Sequence, residues 1–228
     1  MATDPPIFVN CRDRVDDLRR LVAWLERAGH QRITLIDNDS SYQPLLDYYR
    51  DTPHEVFYLD TNLGSRALWL SGTLSKRLGE HYVYTDPDVV PIDECPYDAI
   101  TRLREVLDCY SHRKAGLGLY LTDVPPFQSM QWERSLVAAN RLAGKLGDVQ
   151  LFDSLVDTTL ALYKPLRYNE LRSLQTGGSG LHAIRTGYPM QMRHMPWYRL
   201  GSPTAEERFY LARASSGPQA SSWAEGRQ

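Results

Sequence analysis

Cysteine is scarce. The chain has three, Cys11, Cys95 and Cys109, set far apart. They make neither a metal cluster nor a disulfide framework, and a reducing cytoplasm is the compartment they suit. No apolar run approaches the roughly 18 residues of a membrane-spanning helix. Residues 1–6 are polar, so no secretory leader is expected. Peripheral association with a membrane surface stays open. An excess of positive charge is also missing: the formal net charge is −2. Lys and Arg are spread along the chain without a basic stripe, so nucleic acid is not an expected partner. Glycine is absent from residues 10–14, after the first apolar run. That excludes the Gly-x-Gly-x-x-Gly turn of a dinucleotide dehydrogenase. A phosphate-binding loop ending in Lys-Ser or Lys-Thr is missing as well. Internal repeats and interdomain linkers are not visible.

What is present is alternation. Ile7-Phe8-Val9 reads as a buried strand ending in the polar loop Asn10 to Arg14. A helix follows, with Val15, Leu18, Leu21, Val22 and Leu25 at helical spacing, Asp16 and Asp17 in its first turn and Gly29 past its end. Ile33 to Ile36 makes a second strand, and strand–helix–strand implies a right-handed crossover between parallel strands. A second helix is expected over residues 42–50 and a third strand over residues 56–59. A single helix is expected over residues 65–77, offering Leu68, Trp69 and Leu74 for burial. With 228 residues, a single α/β domain is the expected class, with a mostly parallel central sheet flanked by helices.

The fourth strand, Tyr82-Val83-Tyr84, runs into Thr85-Asp86-Pro87-Asp88-Val89-Val90-Pro91. Pro87 and Pro91 lack the N–H that a continuing strand needs, so pairing is expected to stop there. Asp-Pro-Asp suits an ordinary turn. It also suits a hard divalent cation, which takes one or two carboxylates plus substrate phosphates. Each earlier strand also ends in polar residues, and open α/β sheets bind ligands outside the carboxyl ends of their strands. Further on, residues 98–110 and 131–146 read as helices, and residues 116–121, 156–163 and 183–185 as strands. Residues 175–180 read as a flexible loop, and residues 202–228 as a flexible tail. Trp69, Trp132 and Tyr163 read as core rather than as sugar platforms.

Ile7-Phe8-Val9-Asn10, Ile36-Asp37-Asn38-Asp39-Ser40, Asn62-Leu63-Gly64 and Thr85-Asp86-Pro87-Asp88 resemble the nucleotide-binding half of GT-A-fold (Rossmann-like) glycosyltransferases of the family-2-like group. Val156 to Tyr163 and Arg193-His194-Met195-Pro196-Trp197-Tyr198 are similar to the same stretches of small bacterial members. The resemblance covers most of residues 7–198. It implies one domain over residues 1–201, with a nucleotide-sugar half (1–91) and an acceptor half (92–201). It also implies a UDP-sugar donor, with glucose or galactose as the sugar, and Mn²⁺ or Mg²⁺ as cofactor.

The resemblance assigns roles residue by residue. Asp88 is the expected metal ligand, with His194 as a late further ligand and Asp86 on the metal, a metal-bound water or the ribose. Asp37 is placed to accept the uracil imide N–H, though Asp-Asn-Asp-Ser is also turn chemistry. Asn10 and Arg12 are placed at the nucleoside or its phosphates, although Arg12 could equally pair with Asp16. Gly64 allows close backbone approach, and Arg66 is either a diphosphate contact or a solvated helix charge. An inverting transferase needs a base on the acceptor hydroxyl. Asp157, in an apolar run, is the first candidate and Asp123 the second. The acidic pair usual in family 2 is missing near Asp157, so a retaining mechanism or a sugar-binding role for Asp157 stays open. The acceptor (small molecule, glycan or lipid) is not identified, and a homo-oligomer is compatible with the sequence. The rival readings are a sugar nucleotidyltransferase, against which the glycine-free first loop speaks, and a non-catalytic UDP-sugar-binding protein.

Overall fold

Strand β1 (Ile7–Cys11) is buried along its whole length, as its apolar run predicts. The computed structural model describes residues 4–124, 131–156, 159–175, 182–199 and 202–214. Helix α1 (Asp16–Arg27) turns Leu18, Leu21, Val22 and Leu25 into the core. It ends in a Schellman motif: Gly29 N–H donates to the Glu26 carbonyl and His30 N–H to the Leu25 carbonyl. Gly29 takes φ 88°, which a glycine adopts without steric cost. Then come β2 (Ile33–Asn38), α2 (Gln43–Asp51), β3 (Glu55–Leu59) and β4 (Tyr82–Thr85).

β1 pairs in parallel with β2 on one side and β4 on the other, and β2 pairs in parallel with β3. The direction of strand succession therefore reverses between β1 and β4. In an open α/β sheet that reversal opens a crevice at the strands' carboxyl ends. The sheet's two faces follow the two-residue strand period. Ile7, Val9 and Val83 join the larger apolar cluster with α1, and Phe8, Tyr82 and Tyr84 join a smaller one. Trp69 and Tyr163 belong to the smaller cluster, where Tyr163 stacks on Tyr82 with centroids 4.9 Å apart. The side chain of Trp132 lies outside the described residues.

Beyond β4 the sheet is mixed. Its strands are β5 (Val89–Pro91), β6 (Lys114–Leu119), β7 (Arg141–Leu146), β8 (Val149–Leu155), β9 (Ala161–Tyr163) and β10 (His182–His194). The order across the sheet is β3-β2-β1-β4-β9-β6-β10-β8-β7, with β5 paired to β10. Of the second-half pairs, β6–β10 is parallel and the others are antiparallel. The remaining helices are α3 (Ala67–Leu70), α4 (Ala99–Cys109), α5 (Gln131–Ala138), α6 (Tyr168–Gln175) and α7 (Ala205–Ala214).

Several expectations are corrected. Pairing leaves β4 at the first proline but resumes on a new partner: Val89, Val90 and Pro91 oppose His194, Arg193 and Met192. The helix expected over residues 65–77 is broken into 3₁₀ turns (Gly64–Arg66 and Thr73–Arg77) around the short α3. Gly72, at φ 77°, interrupts the helical run. The helix expected over residues 131–146 stops at Ala138, and its second half is strand β7. A two-residue Gly147-Asp148 turn joins β7 to β8, with Gly147 at φ 61°. Among the described residues, the strand expected over residues 156–163 comprises Ala161–Tyr163, and the short one at Ala183 is the 13-residue β10.

Gly118 in β6 shows how tightly β6 and β10 pack. A Cβ there would run into the Thr186 carbonyl oxygen of β10, a backbone atom that cannot swing aside. Gly118→Ala is expected to cost about 1–3 kcal/mol through overpacking. Urea unfolding reads this directly, and an unchanged midpoint would mean that the strands separate without penalty.

Candidate functional site

The crevice at the carboxyl ends of β1, β2 and β4 begins with two asparagines. Asn10 Nδ2 and Asn38 Nδ2 both donate to the Gly64 carbonyl, at 3.2 and 3.0 Å. Asn38 Oδ1 accepts the Leu63 N–H at 2.7 Å, and Asn62 Oδ1 accepts the Gly64 N–H at 2.9 Å. Gly64 has φ 66°, so the loop needs glycine there and turns its backbone toward β1. Arg66 is directed elsewhere: its Nη2 donates to the Leu174 carbonyl in the last turn of α6.

Asp37 ends β2 beside Cys11 of β1. Its Oδ1 accepts the Tyr49 hydroxyl at 3.1 Å and its Oδ2 the Ser40 N–H at 3.4 Å. Burial raises its carboxyl above the ordinary range despite those bonds. Burial likewise pushes the Cys11 thiol up, and Asp37 and Asp86 add to the effect. Asp13 and Asp39 adopt left-handed backbone angles, φ 49° and 63°, which Asp tolerates better than most residues. The Asp13 Oδ1 accepts the Ser41 and Tyr42 N–H groups at 2.7 and 2.9 Å, fastening the β2–α2 loop to the end of β1.

Asp88 lies between β4 and β5. Its backbone carbonyl accepts the Met195 N–H at 2.9 Å, which ties the turn to the end of β10. Its Oδ2 has Arg14 Nη1 at 3.2 Å and His194 Nε2 at 3.6 Å. Burial by itself would raise this carboxyl, but the Arg14 guanidinium and the His194 ring beside it overcome that and hold the group well below the carboxylate range. Arg14 stacks over the Tyr210 ring at 4.1 Å. Burial raises the Tyr210 phenol; Arg14 and Arg12 act against the rise, and Asp88 and Asp86 add to it. At the end of β1 and just after it, Asn10 Oδ1 and Arg12 Nε are shielded from solvent without a hydrogen-bond partner among the described residues.

α7 brings Tyr210 to this place. Residues 202–228 read in sequence as a flexible tail; the structure instead forms a helix over Ala205–Ala214. Thr204 and Glu207 make a capping box, each side chain bonded to the other's N–H. That Thr-x-x-Glu spacing was the sequence signal for α7. Glu206, 2% exposed, accepts the N–H groups of Val15 and Asp16. It thereby fills the first turn of α1, which has no side-chain cap of its own. Arg199 clamps Asp17 of α1 with two 2.7 Å bonds, and Arg213 approaches Asp13 and Asp39 at 3.6 and 3.3 Å. Arg14, Tyr49, Glu206, Tyr210 and Arg213 were not singled out from the sequence.

The two base candidates fare differently. The Asp123 carboxylate is engaged by Arg193, at 3.2 and 3.0 Å, and by the Tyr198 hydroxyl at 2.7 Å. Those partners outweigh its desolvation and lower its pKa, which suits an ion pair and not a general base. Asp157 and residues 176–181 lie outside the described residues.

No family model matches this chain, and no curated protein matches it. Solved structures do. TarS 1-349 from S. aureus is 12% identical with a TM-score of 0.51, over 95% of this chain and 66% of that one. The mannosyltransferase PcManGT from Pyrobaculum calidifontis, solved in complex with GDP-Man and Mn²⁺, is 12% identical with a TM-score of 0.51, over 94% and 61%. The chain therefore spans less than two thirds of the length of either structure. Both are of the GT-A type, and the fold expected from the sequence is the fold observed.

Burial raises Glu206 above the ordinary glutamate pKa. The folded chain then holds this proton more tightly than the unfolded chain. The stabilising contribution is full below the unfolded pKa and is lost as pH rises through the folded one. Urea unfolding from about pH 4 to about pH 8 should show wild type losing stability relative to Glu206→Gln as pH rises. A pH-independent difference would mean that Glu206 does not titrate there. Glu206→Ala, which strands both N–H groups, should cost about 1–3 kcal/mol.

Proposed function

We propose that this chain is a metal-dependent glycosyltransferase that moves a hexose, glucose or galactose, from a UDP-sugar to an acceptor hydroxyl. The observation that carries the reading is the pair of buried polar atoms without a hydrogen-bond partner among the described residues, Asn10 Oδ1 and Arg12 Nε, together with the Arg14–Asp88–His194 cluster at the strand ends of a GT-A fold. Buried polar groups are normally satisfied, so such a cluster calls for a polar ligand. A nucleoside diphosphate meets it: Arg12 and Arg14 face phosphate oxygens, and Asn10 takes a donor from the nucleoside. The GDP-Man bound by PcManGT supports a nucleoside-diphosphate sugar as the donor class. Uridine is the narrower part of the proposal and rests on Asp37 as acceptor for the imide N–H.

Among the described residues no group of three or more His, Cys, Asp or Glu side chains forms a ready-made metal cage. The pair present still fits a cation whose shell the substrate completes. Asp88 and His194 offer an oxygen and a nitrogen at one point, and a divalent ion of this kind takes its remaining ligands from phosphates and water. The mixed donors suit Mn²⁺ better than Mg²⁺, and Mn²⁺ is the ion present in the PcManGT complex. Asp88 and His194 would hold the ion, with Asp86 on the ribose or a metal-bound water. The ion supplies positive charge where the departing diphosphate gains negative charge. Arg12 and Arg14 stabilise the same developing charge from the protein side. Asp157 is the proposed base on the acceptor hydroxyl. No helix among the described residues is long and apolar enough to cross a membrane. The free cysteines support a cytoplasmic site of action, peripheral to a membrane or not, as part of this proposal.

Thermal shift and donor hydrolysis with UDP-glucose, UDP-galactose and GDP-mannose, with and without Mn²⁺, test this reading. A UDP-sugar with Mn²⁺ should stabilise the chain by about 2.7 kcal/mol at a hundredfold excess over Kd, and slow donor hydrolysis should accompany it. No stabilisation by any nucleotide sugar would overturn it. Asp88→Ala should abolish the Mn²⁺-dependent part of UDP binding; full retention would remove Asp88 from the metal. Asp37→Ala should weaken UDP by about tenfold and erase the preference for uridine over guanosine. An unaltered preference would place base recognition elsewhere.

A further inference from the structure

A second pocket, of about 380 Å³, opens between α1 and β5. It is separate from the site above. In the β5–β10 ribbon Val89 opposes His194 and Val90 opposes Arg193. Successive residues of a strand face opposite sides, so the pocket, lined by Val90 and Arg193, lies across the ribbon from His194. The lining holds four guanidiniums, Arg19, Arg20, Arg27 and Arg193, and one carboxylate, Asp93. Arg193 is paired with Asp123. Arg20 reaches Asp17 at 3.4 Å, but Arg199 already clamps that carboxylate. Arg19 lies over the Tyr48 ring at 4.6 Å. Neither Arg19 nor Arg27 has a carboxylate partner among the described residues.

The geometry points to a binding site for a phosphate group carried on an organic body. Ala23 sits between Arg19 and Arg27, one helical turn, about 6 Å, from each. A small residue there leaves room above the helix, and two long cationic side chains flank the space. Guanidinium forks match phosphate oxygens in geometry and charge. The rest of the pocket is built for something other than a bare anion. Trp24 and Tyr97 hold their rings 5.8 Å apart, Tyr97 is half exposed, and Val90 and Ile92 supply apolar surface. The volume falls in the range of small-molecule sites, roughly 300–1,000 Å³. A sugar phosphate and an anionic lipid headgroup share this chemistry.

The test uses the full chain and two probes: glucose 6-phosphate by calorimetry, and flotation with phosphatidic acid vesicles against pure phosphatidylcholine vesicles. Wild type should bind at least one anionic probe, more weakly as salt rises. The double variant Arg19→Glu/Arg27→Glu should weaken that binding by at least about tenfold, with an unchanged melting temperature because both side chains are exposed. Arg19→Lys/Arg27→Lys should keep most of it. Binding of glucose 6-phosphate assigns a soluble ligand, and binding to the acidic vesicles alone assigns a headgroup. Failure of wild type to bind either probe, or equal binding by the charge-reversed variant, overturns the proposal. Neither measurement requires sugar transfer, so its outcome is independent of the donor-site reading.

Discussion

A buried carboxylate must be compensated, and at Asp88 that requirement draws distant segments to one point. Arg14 follows β1, Asp88 follows β4, and His194 ends β10. Removing one partner from such a cluster leaves an unpaired buried charge, typically worth 3–5 kcal/mol. The Asp88 carbonyl bond to Met195 and the stack of Arg14 on Tyr210 extend the tie to the 3₁₀ turn Met195–Arg199 after β10 and to α7. The first strands and the late segments of the chain therefore meet through charge as well as through apolar packing.

This explains why α7 belongs to the structural core of the site although it lies near the end of the chain. Its hydrophobic stripe is weak: Glu206 and Glu207 are among its buried residues. Polar tasks hold it in place. Glu206 caps α1, Arg213 meets Asp13 and Asp39, and Phe209 packs on Tyr42 with centroids 5.0 Å apart. A reading based on apolar periodicity passes over a helix whose contacts are ionic. Its capping box was the one local mark it left in the sequence.

Other differences between sequence and structure have equally specific causes. Residues 131–146 present apolar residues at helical spacing, yet Gly147-Asp148 closes a hairpin and Leu142 faces solvent at 58% exposure. β7 pairs with β8 across that turn, and β8 is held on its other side by β10, which is remote in sequence. Pro87 does end β4, but a proline states only where one ladder stops, and the register of β5 against β10 needed the folded chain. Arg66 reads from its place after Gly64 as either a diphosphate contact or a solvated helix charge, and in the fold its guanidinium donates to the Leu174 carbonyl of α6.

The sequence by itself determined the β-α-β alternation, the parallel order of the first strands, the polar ends of those strands and the position of Asp86 and Asp88 at the fourth. These are local properties, set by hydrophobic period, turn chemistry and the missing N–H of proline. Only the tertiary structure decided which charges meet: Arg14 and His194 on Asp88, Tyr49 on Asp37, Glu206 on α1, and the arginines around the α1–β5 pocket. Electrostatic partners are chosen by distance in space and by burial. A sequence orders residues along one dimension, so it names the charges but not the neighbours that compensate them.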